Sequence, residues 1–357
     1  MYNESTHNTK HQGSQYFAKA RTILLIAMPI MLMAANILWG SLDIPLGAMP
    51  DILLGKEIEG HPSWSYIVWH SRVPQMLTAT LCGAALATCG LLLQTAFRNP
   101  LAGPSILGID SGASLGVALS MLLFGGSITL GGMSFGGYVF SILAALAGAI
   151  GIMVLLSLLN AVLKSTVMLL ITGVIISYIT GSLISLLQFW ASHDGLQAYI
   201  LWGMGNFTTV SMERLPIFAG MLSIGLVMAM LMMKPLDALL LGDRYAKNLG
   251  VKTTRIRHML LLATGLLSAV TTAFCGPISF IGLATPHIAR LVSPSGSHRS
   301  LLPCTMALGA SIALLCNLLC NLPQSSVIPI NVLTPLIGAP VIVYYTLAPA
   351  LSARRRR

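Results

Sequence analysis

Charge is what this sequence lacks most. Only 8% of its 357 residues are Asp, Glu, Lys or Arg, against roughly 25% in an average soluble protein. So few ionised side chains cannot cover a water-facing surface of that size, which excludes a soluble enzyme, a disordered chain and a nucleic-acid-binding domain. Acids are the scarcer sign, with 10 in the whole chain. Within the long apolar runs there is a single one, Asp110, near one end of its run. Carriers driven by proton or ion gradients use buried ionisable residues as relays, so this composition disfavours gradient coupling. A GxxxxGK[ST] phosphate loop is missing as well, so the chain is not expected to hydrolyse ATP itself. Its six cysteines (Cys82, Cys89, Cys275, Cys304, Cys316 and Cys320) form no CxxC pair and lie in or beside apolar runs, where they read as packing residues. Neither paired carboxylates nor a Ser/His/Asp set falls at a shared depth, and His287 and Arg290 in PHIAR lack the HExxH spacing of a metal site. The chain is therefore read as no enzyme, with no metal site and no cofactor of its own.

What is present is apolar: 55% of the residues are hydrophobic. A membrane-spanning helix needs about 20 mainly apolar residues, and ten such runs are found. They lie at about 22–42, 74–97, 105–124, 137–160, 166–190, 215–233, 257–275, 277–292, 302–321 and 332–350. The run at 277–292 is short and glycine-rich and reads as a half-helix. Ten spans put both termini on one side. With the termini inside, 17 of the 20 Lys and Arg fall on that side, leaving only Lys56, Arg72 and Arg214 opposite. Cytoplasmic loops collect Lys and Arg, so the expected fold is an all-α integral membrane protein with both ends in the cytoplasm. The organisation is a polar cytoplasmic segment at 1–22, a single transmembrane domain at 23–350 and a basic cytoplasmic tail at 351–357. No polar stretch is long enough for a separate catalytic domain.

Two connections are long. The outside segment 43–73 carries Trp64, Tyr66 and Trp69, amphipathic rings of the kind found at headgroup level. The basic inside segment 234–257 has short apolar runs broken at Gly242 and Gly250, which predicts two short helices joined by a turn. Small residues recur every fourth position at Gly108, Gly112 and Gly116, and again at Gly173, Ser177, Gly181 and Ser185. That spacing puts each set on one helix face. Such a face permits close helix packing or forms a smooth wall along a path. The histidines at 61, 70 and 193 fall outside, where they are solvated residues or contacts to a haem.

The segment 70–116, HSRVPQMLTATLCGAALATCGLLLQTAFRNPLAGPSILGIDSGASLG, resembles the signature of FecCD-type ABC permeases, importers of iron-siderophores, haem and cobalamin. LGDRYAKNLGV (241–251) is similar to their cytoplasmic coupling segment. GPISFIGLATPHIARL (276–291) with HRSLLP (298–303) resembles a further block, and IPINVLTPLIGAPV (328–341) resembles the last.

The resemblance implies a type II ABC importer permease working as a dimer, expected as a homodimer. Two ATPase subunits would bind inside, carrying the ATP and Mg, and an extracytoplasmic substrate-binding protein would deliver cargo outside. It implies a translocation path lined by Ser165, Thr166, Gly173, Ser177 and Gly181, and ATPase coupling through Leu241, Gly242, Ala246, Leu249 and Gly250. It implies that Arg72, at the outside end of the second span, meets acidic residues of the binding protein. Three positions depart from the pattern: Gln75 replaces an arginine, Val327 a glutamate and Asn331 a glycine. The outside surface is thus less charged than the pattern. The expected function is import of iron complexes of siderophore type across the bacterial cytoplasmic membrane. The same architecture carrying cobalamin or haem is the second reading, and a gradient-driven secondary transporter the third.

Overall fold

The computed structural model describes residues 21, 23–56, 58, 60–125, 127–130, 133–163, 166–293, 295–322 and 327–354. The sequence-predicted segment 1–22, apart from Arg21, and the last three arginines of the tail lie outside the described residues. Each of the ten apolar runs contains a helix. The helices are α1 (Ile23–Leu38), α2 (Met49–Leu53), α3 (Pro62–Phe97), α4 (Ile109–Leu123), α5 (Tyr138–Val162), α6 (Thr166–Trp190) and α7 (His193–Gly203). They continue with α8 (Leu215–Leu231), α9 (Met233–Leu240), α10 (Asp243–Asn248), α11 (Thr253–Cys275), α12 (Ile281–Val292), α13 (His298–Asn321) and α14 (Ile330–Arg354). A small antiparallel hairpin, β1 (Ser127–Leu130) and β2 (Met133–Gly136), joins α4 to α5.

Five of these helices are individually long and apolar enough to cross a bilayer among the described residues, and α8 with α9 passes as a sixth with a 51° bend. Of the remaining apolar runs, those of α1, α4 and α12 are shorter helices. The half-helix expected at 277–292 is one of them: α12 has 12 residues and follows an extended stretch that ends at Phe280, whose φ is 67°.

Burial divides the bundle. In the most apolar stretch of α3, 83% of residues are buried, and in that of α11, 78%; in α5 and α6 the figure is 22%. α3 is the central post, packed against α11, α12 and α13. Lipid offers apolar side chains as good a contact as protein does, so helices associate in it mainly where small residues let backbones meet. At α3 they do. A Cβ on Gly83 would overlap the Gly309 carbonyl of α13, and one on Gly90 would overlap the Gly282 carbonyl of α12. The four-residue glycine series of α4 works the same way. Gly112 and Gly116 lie against the backbone of Gly148 and Ala144 on α5.

Polar links tie the post to its neighbours. Gln75 Nε2 donates to Asn317 Oδ1 at 2.9 Å, and Asn317 Nδ2 donates to Asn36 Oδ1 at 2.8 Å. Buried amides are costly unless paired, and this chain of three satisfies them while joining α1, α3 and α13. All six cysteines are buried and free.

Candidate functional site

A cleft of about 320 Å³ opens between α4, α6, α7 and the extended stretch before α12. Its wall includes Ser105, Ser111, Ser114, Ser177 and Ser279, with one carboxylate, Asp110, and no basic side chain. Asp110 stands in the first turn of α4, which Gly108 starts with a φ of 77°. Ser268 Oγ and Thr272 Oγ1 of α11 both donate to its Oδ1, the latter at 3.2 Å.

The hydroxyls of α6 are turned inward on their own helix. Ser177 Oγ donates to the Gly173 carbonyl, Ser182 Oγ to Tyr178, and Ser185 Oγ to Gly181, each at 3.0 Å. Such back-bonding spends the donor locally. The wall therefore presents small groups and oxygen lone pairs rather than reaching ligands.

The sequence-predicted path residues separate here. Ser177 and Gly181 line the cleft, and Gly181 faces open space. Gly173 does not: it is buried, and a Cβ there would meet the Ile106 carbonyl at 2.7 Å. It is a packing position beneath Pro104–Leu107. Thr166 is the first residue of α6, and Ser165 lies outside the described residues. Sequence reasoning noticed Asp110 only as a rare charge; its partners sit about 160 positions further along the chain and carry no local signal. The helix α7, which supplies Tyr199 to the wall, was missed. Its signal was present: Ser192 caps it by accepting from Gly195 N at 3.2 Å, with Asp194 in the first turn.

The basic segment 234–257 forms a second surface. The two short helices expected there are α9 and α10, and the turn glycines hold left-handed backbone, with φ of 106° at Gly242 and 82° at Gly250. Leu241, Tyr245 and Leu249 are 64%, 55% and 59% exposed. Tyr245 and Leu249 are four residues apart on α10 and its C-cap, and Leu241 lies just before the Gly242 turn. A cluster of large apolar side chains on a basic segment is the kind of patch that marks a partner. Ala246, on the other side of α10, is fully buried and anchors the helix to the bundle. Tyr245 was not singled out from the sequence, although it falls midway between the two leucines.

Behind this surface, Asp237 of α9 accepts from the His298 backbone N at 2.8 Å, from Ser297 Oγ at 2.8 Å and from the His298 ring. Nearby, Gln94 of α3 donates to the Leu283 carbonyl at 3.1 Å and accepts from Arg290 at 2.7 Å, while His287 contacts the Pro100 carbonyl at 2.9 Å. PHIAR is thus a strut between α3 and α12.

Arg72 differs from the sequence expectation of an exposed docking residue. It is 5% exposed. Its guanidinium donates to the carbonyls of Ile37 (2.8 Å), Leu38 (2.9 Å) and Leu42. The first two are orphan acceptors in the last turn of α1, where a cation is also favoured by the helix dipole, and the third lies in the bend that follows. Gly40 leaves the space: a Cβ there would lie 2.8 Å from Arg72 Nε. The three departures from the motif pattern are also explained in part. Gln75 serves the internal amide chain. Asn331 Oδ1 accepts from Ser279 N at 3.2 Å and its Nδ2 donates to the carbonyls of Gly203 (3.1 Å) and Pro277 (2.5 Å), pinning the cleft's outer rim. Val327 is exposed, and nothing in the structure explains it.

This arrangement has relatives. The family model described as the FecCD transport family matches residues 25–348. The chain is 34% identical to the molybdate import system permease protein MolB of Haemophilus influenzae, over 85% of this chain and 88% of that one. It is 36% identical to the vitamin B12 import system permease protein BtuC of Klebsiella pneumoniae, over 78% and 82%. A solved inward-facing structure of a protein assigned to the metal-chelate type of ABC transporter superposes with a TM-score of 0.78 at 29% identity, covering 91% of this chain and 99% of that one. With the same blocks in the same order on the same scaffold, the chain belongs to the FecCD transport family and is an ABC importer permease.

Proposed function

We propose that this chain is the membrane-spanning subunit of an importer of iron complexes of the siderophore type, in the bacterial cytoplasmic membrane with both termini inside. Two identical copies enclose the path. Separate ATPase subunits, which bind ATP and Mg, dock on the inside segment, and a binding protein delivers cargo from outside. The observation that carries this reading is the exposed cluster of Leu241, Tyr245 and Leu249 on a chain that has no phosphate loop of its own. An apolar surface of this kind fits a groove on a partner; Gly242 holds the turn between Leu241 and α10, and Gly250 the turn after Leu249. Ser177 and Gly181 form the wall a bulky chelate passes. Gly173 maintains the approach of α6 to Pro104–Leu107.

Cobalamin is the second reading, favoured by the likeness to a vitamin B12 permease. Purification of the chain with the proteins it carries from its own membrane, followed by ATP hydrolysis assays with ferric hydroxamate, ferric catecholate, haemin and cyanocobalamin, separates these cargoes. Stimulation by a ferric chelate is expected. Tyr245→Ala combined with Leu249→Ala should lose the ATPase from the purified complex. Solute uptake by liposomes holding the permease alone, under an imposed voltage or pH difference, would overturn the importer reading.

A further inference from the structure

We propose that Asp110 is the charge-selecting contact of the translocation cleft, and that it restricts the cargo to cationic complexes or neutral complexes bearing hydrogen-bond donors, excluding oxyanions. The inference rests on the importer reading above and narrows the cargo of that same cleft.

Three observations converge on it. Asp110 is the one ionisable carboxylate in a wall otherwise made of serine hydroxyls and apolar groups, with no Lys, Arg or His beside it to neutralise it. Both of its protein donors are spent on a single oxygen. Ser268 and Thr272 give their hydroxyls to Oδ1, whereas Thr264 and Thr271 on the same helix bond back to the carbonyls of Leu260 and Leu267. Two α11 hydroxyls have thus left the usual acceptors of helical Ser and Thr to orient this group. Among the described residues, Oδ2 receives no hydrogen bond, while the side chain lines a cleft open to a passing molecule. A carboxylate accepts at both oxygens, so the free one is an acceptor held in place for a donor that the protein does not supply.

The chemistry then selects. An ammonium, a metal-chelate cation, an amide N–H or a hydroxyl can satisfy Oδ2. A fully deprotonated oxyanion such as molybdate brings only acceptors, which cannot satisfy Oδ2, and like charge against an ionised carboxylate. The curated relative that imports molybdate is therefore a guide to the architecture and not to the cargo.

The test uses the permease purified with its own ATPase and binding protein and reconstituted in liposomes. Initial uptake and ATP hydrolysis are followed against binding-protein concentration, with a ferric hydroxamate, cyanocobalamin and molybdate as probes. ATP-dependent uptake of the ferric chelate or the corrinoid, and none of molybdate, is expected. Asp110→Asn should lower the maximal rate about tenfold, the scale of one charge-assisted hydrogen bond. The half-saturating binding-protein concentration should stay put, and Asp110→Glu should recover much of the loss. A purely structural role would move assembly and half-saturation together. Molybdate import by the wild type, or an Asp110→Asn variant at the wild-type maximal rate, overturns the selectivity while leaving the importer reading standing. Absence of ATP-dependent uptake for all three probes by the wild type removes the importer reading, and this inference with it. The wild-type arm needs no variant to fold.

Discussion

Asp237 Oδ1 lies 2.6 Å from Nδ1 of His298, and the far nitrogen of that ring lies 2.9 Å from Thr95 Oγ1. The imidazole is fully buried and bridges three elements: α9, which leads into the exposed cluster, the start of α13, and the inside end of α3. With Nδ1 protonated it donates to the carboxylate and accepts the threonine hydroxyl. Asp237 also accepts from the first backbone N–H of α13, placing a negative charge at a helix N-terminus. Displacement of the inside segment is thereby tied to the central post by short polar contacts rather than by loose apolar packing.

His298→Ala should cut this tie and strand the buried Thr95 hydroxyl, while Asp237 keeps Ser297 Oγ and the backbone N–H at 298. Leaving a buried group unpaired costs about 1–3 kcal/mol, so the thermal midpoint in detergent should fall. Cargo-stimulated ATP hydrolysis should fall more than basal hydrolysis. An unchanged midpoint with full stimulation would show that the bridge does not matter.

Gly250 has a φ of 82° and open space where a Cβ would go. Crowding is therefore not the obstacle to substitution there; backbone strain is. A β-branched residue in left-handed backbone is a severe outlier, at about 1–3 kcal/mol. Gly250→Val should uncouple uptake from ATP hydrolysis, and Gly250→Asn, which tolerates this conformation better, should do so weakly. Equal uptake by both variants at the wild-type rate would count against the turn as a coupling element.

Arg72→Glu should destabilise the protein equally at low and high salt, because the lost contacts are buried carbonyls and not a screened surface pair. Loss of stability on the order of 3 kcal/mol is expected from three stranded acceptors and a buried unpaired carboxylate. A defect confined to low salt and to binding-protein capture would restore the docking role.

Gly90→Ala places a methyl on the Gly282 carbonyl, with backbone on both sides unable to yield. Overpacking of this kind costs about 1–3 kcal/mol and sometimes more. Gly181→Ala, facing open space, is the matched control and should leave folding intact. Comparable yield and melting of the two variants would contradict the close α3–α12 approach.

Much of this was legible in the sequence because it is local. Apolar runs declare helices, Lys and Arg declare sides, and Gly242 and Gly250 declare turns that the backbone does adopt. Even the broken eighth run was visible in its length and glycine content. The unread part is long-range. Arg72 looked like a surface charge because its three acceptors lie 30–35 positions earlier, at the end of a helix and in the bend after it. Gln75 and Asn331 looked like losses of surface character. Their partners Asn317, Gly203 and Pro277 are distant in the chain, and only the fold reveals that both side chains point inward. Asp110 was read by its rarity, and its orientation by Ser268 and Thr272 needed coordinates. Gly173 and Gly181 share a four-residue series, so spacing alone could not tell the one pressed on a neighbouring backbone from the one facing a void.

Glycines 83 and 90 of α3 let three helices touch main chain to main chain, whereas α5 and α6 keep only about a fifth of their most apolar stretches covered. Sliding a backbone–backbone seam means lifting carbonyls over one another, so α3, α12 and α13 resist shear as one block, and the α4–α5 pair, seamed at Gly112 and Gly116, does the same.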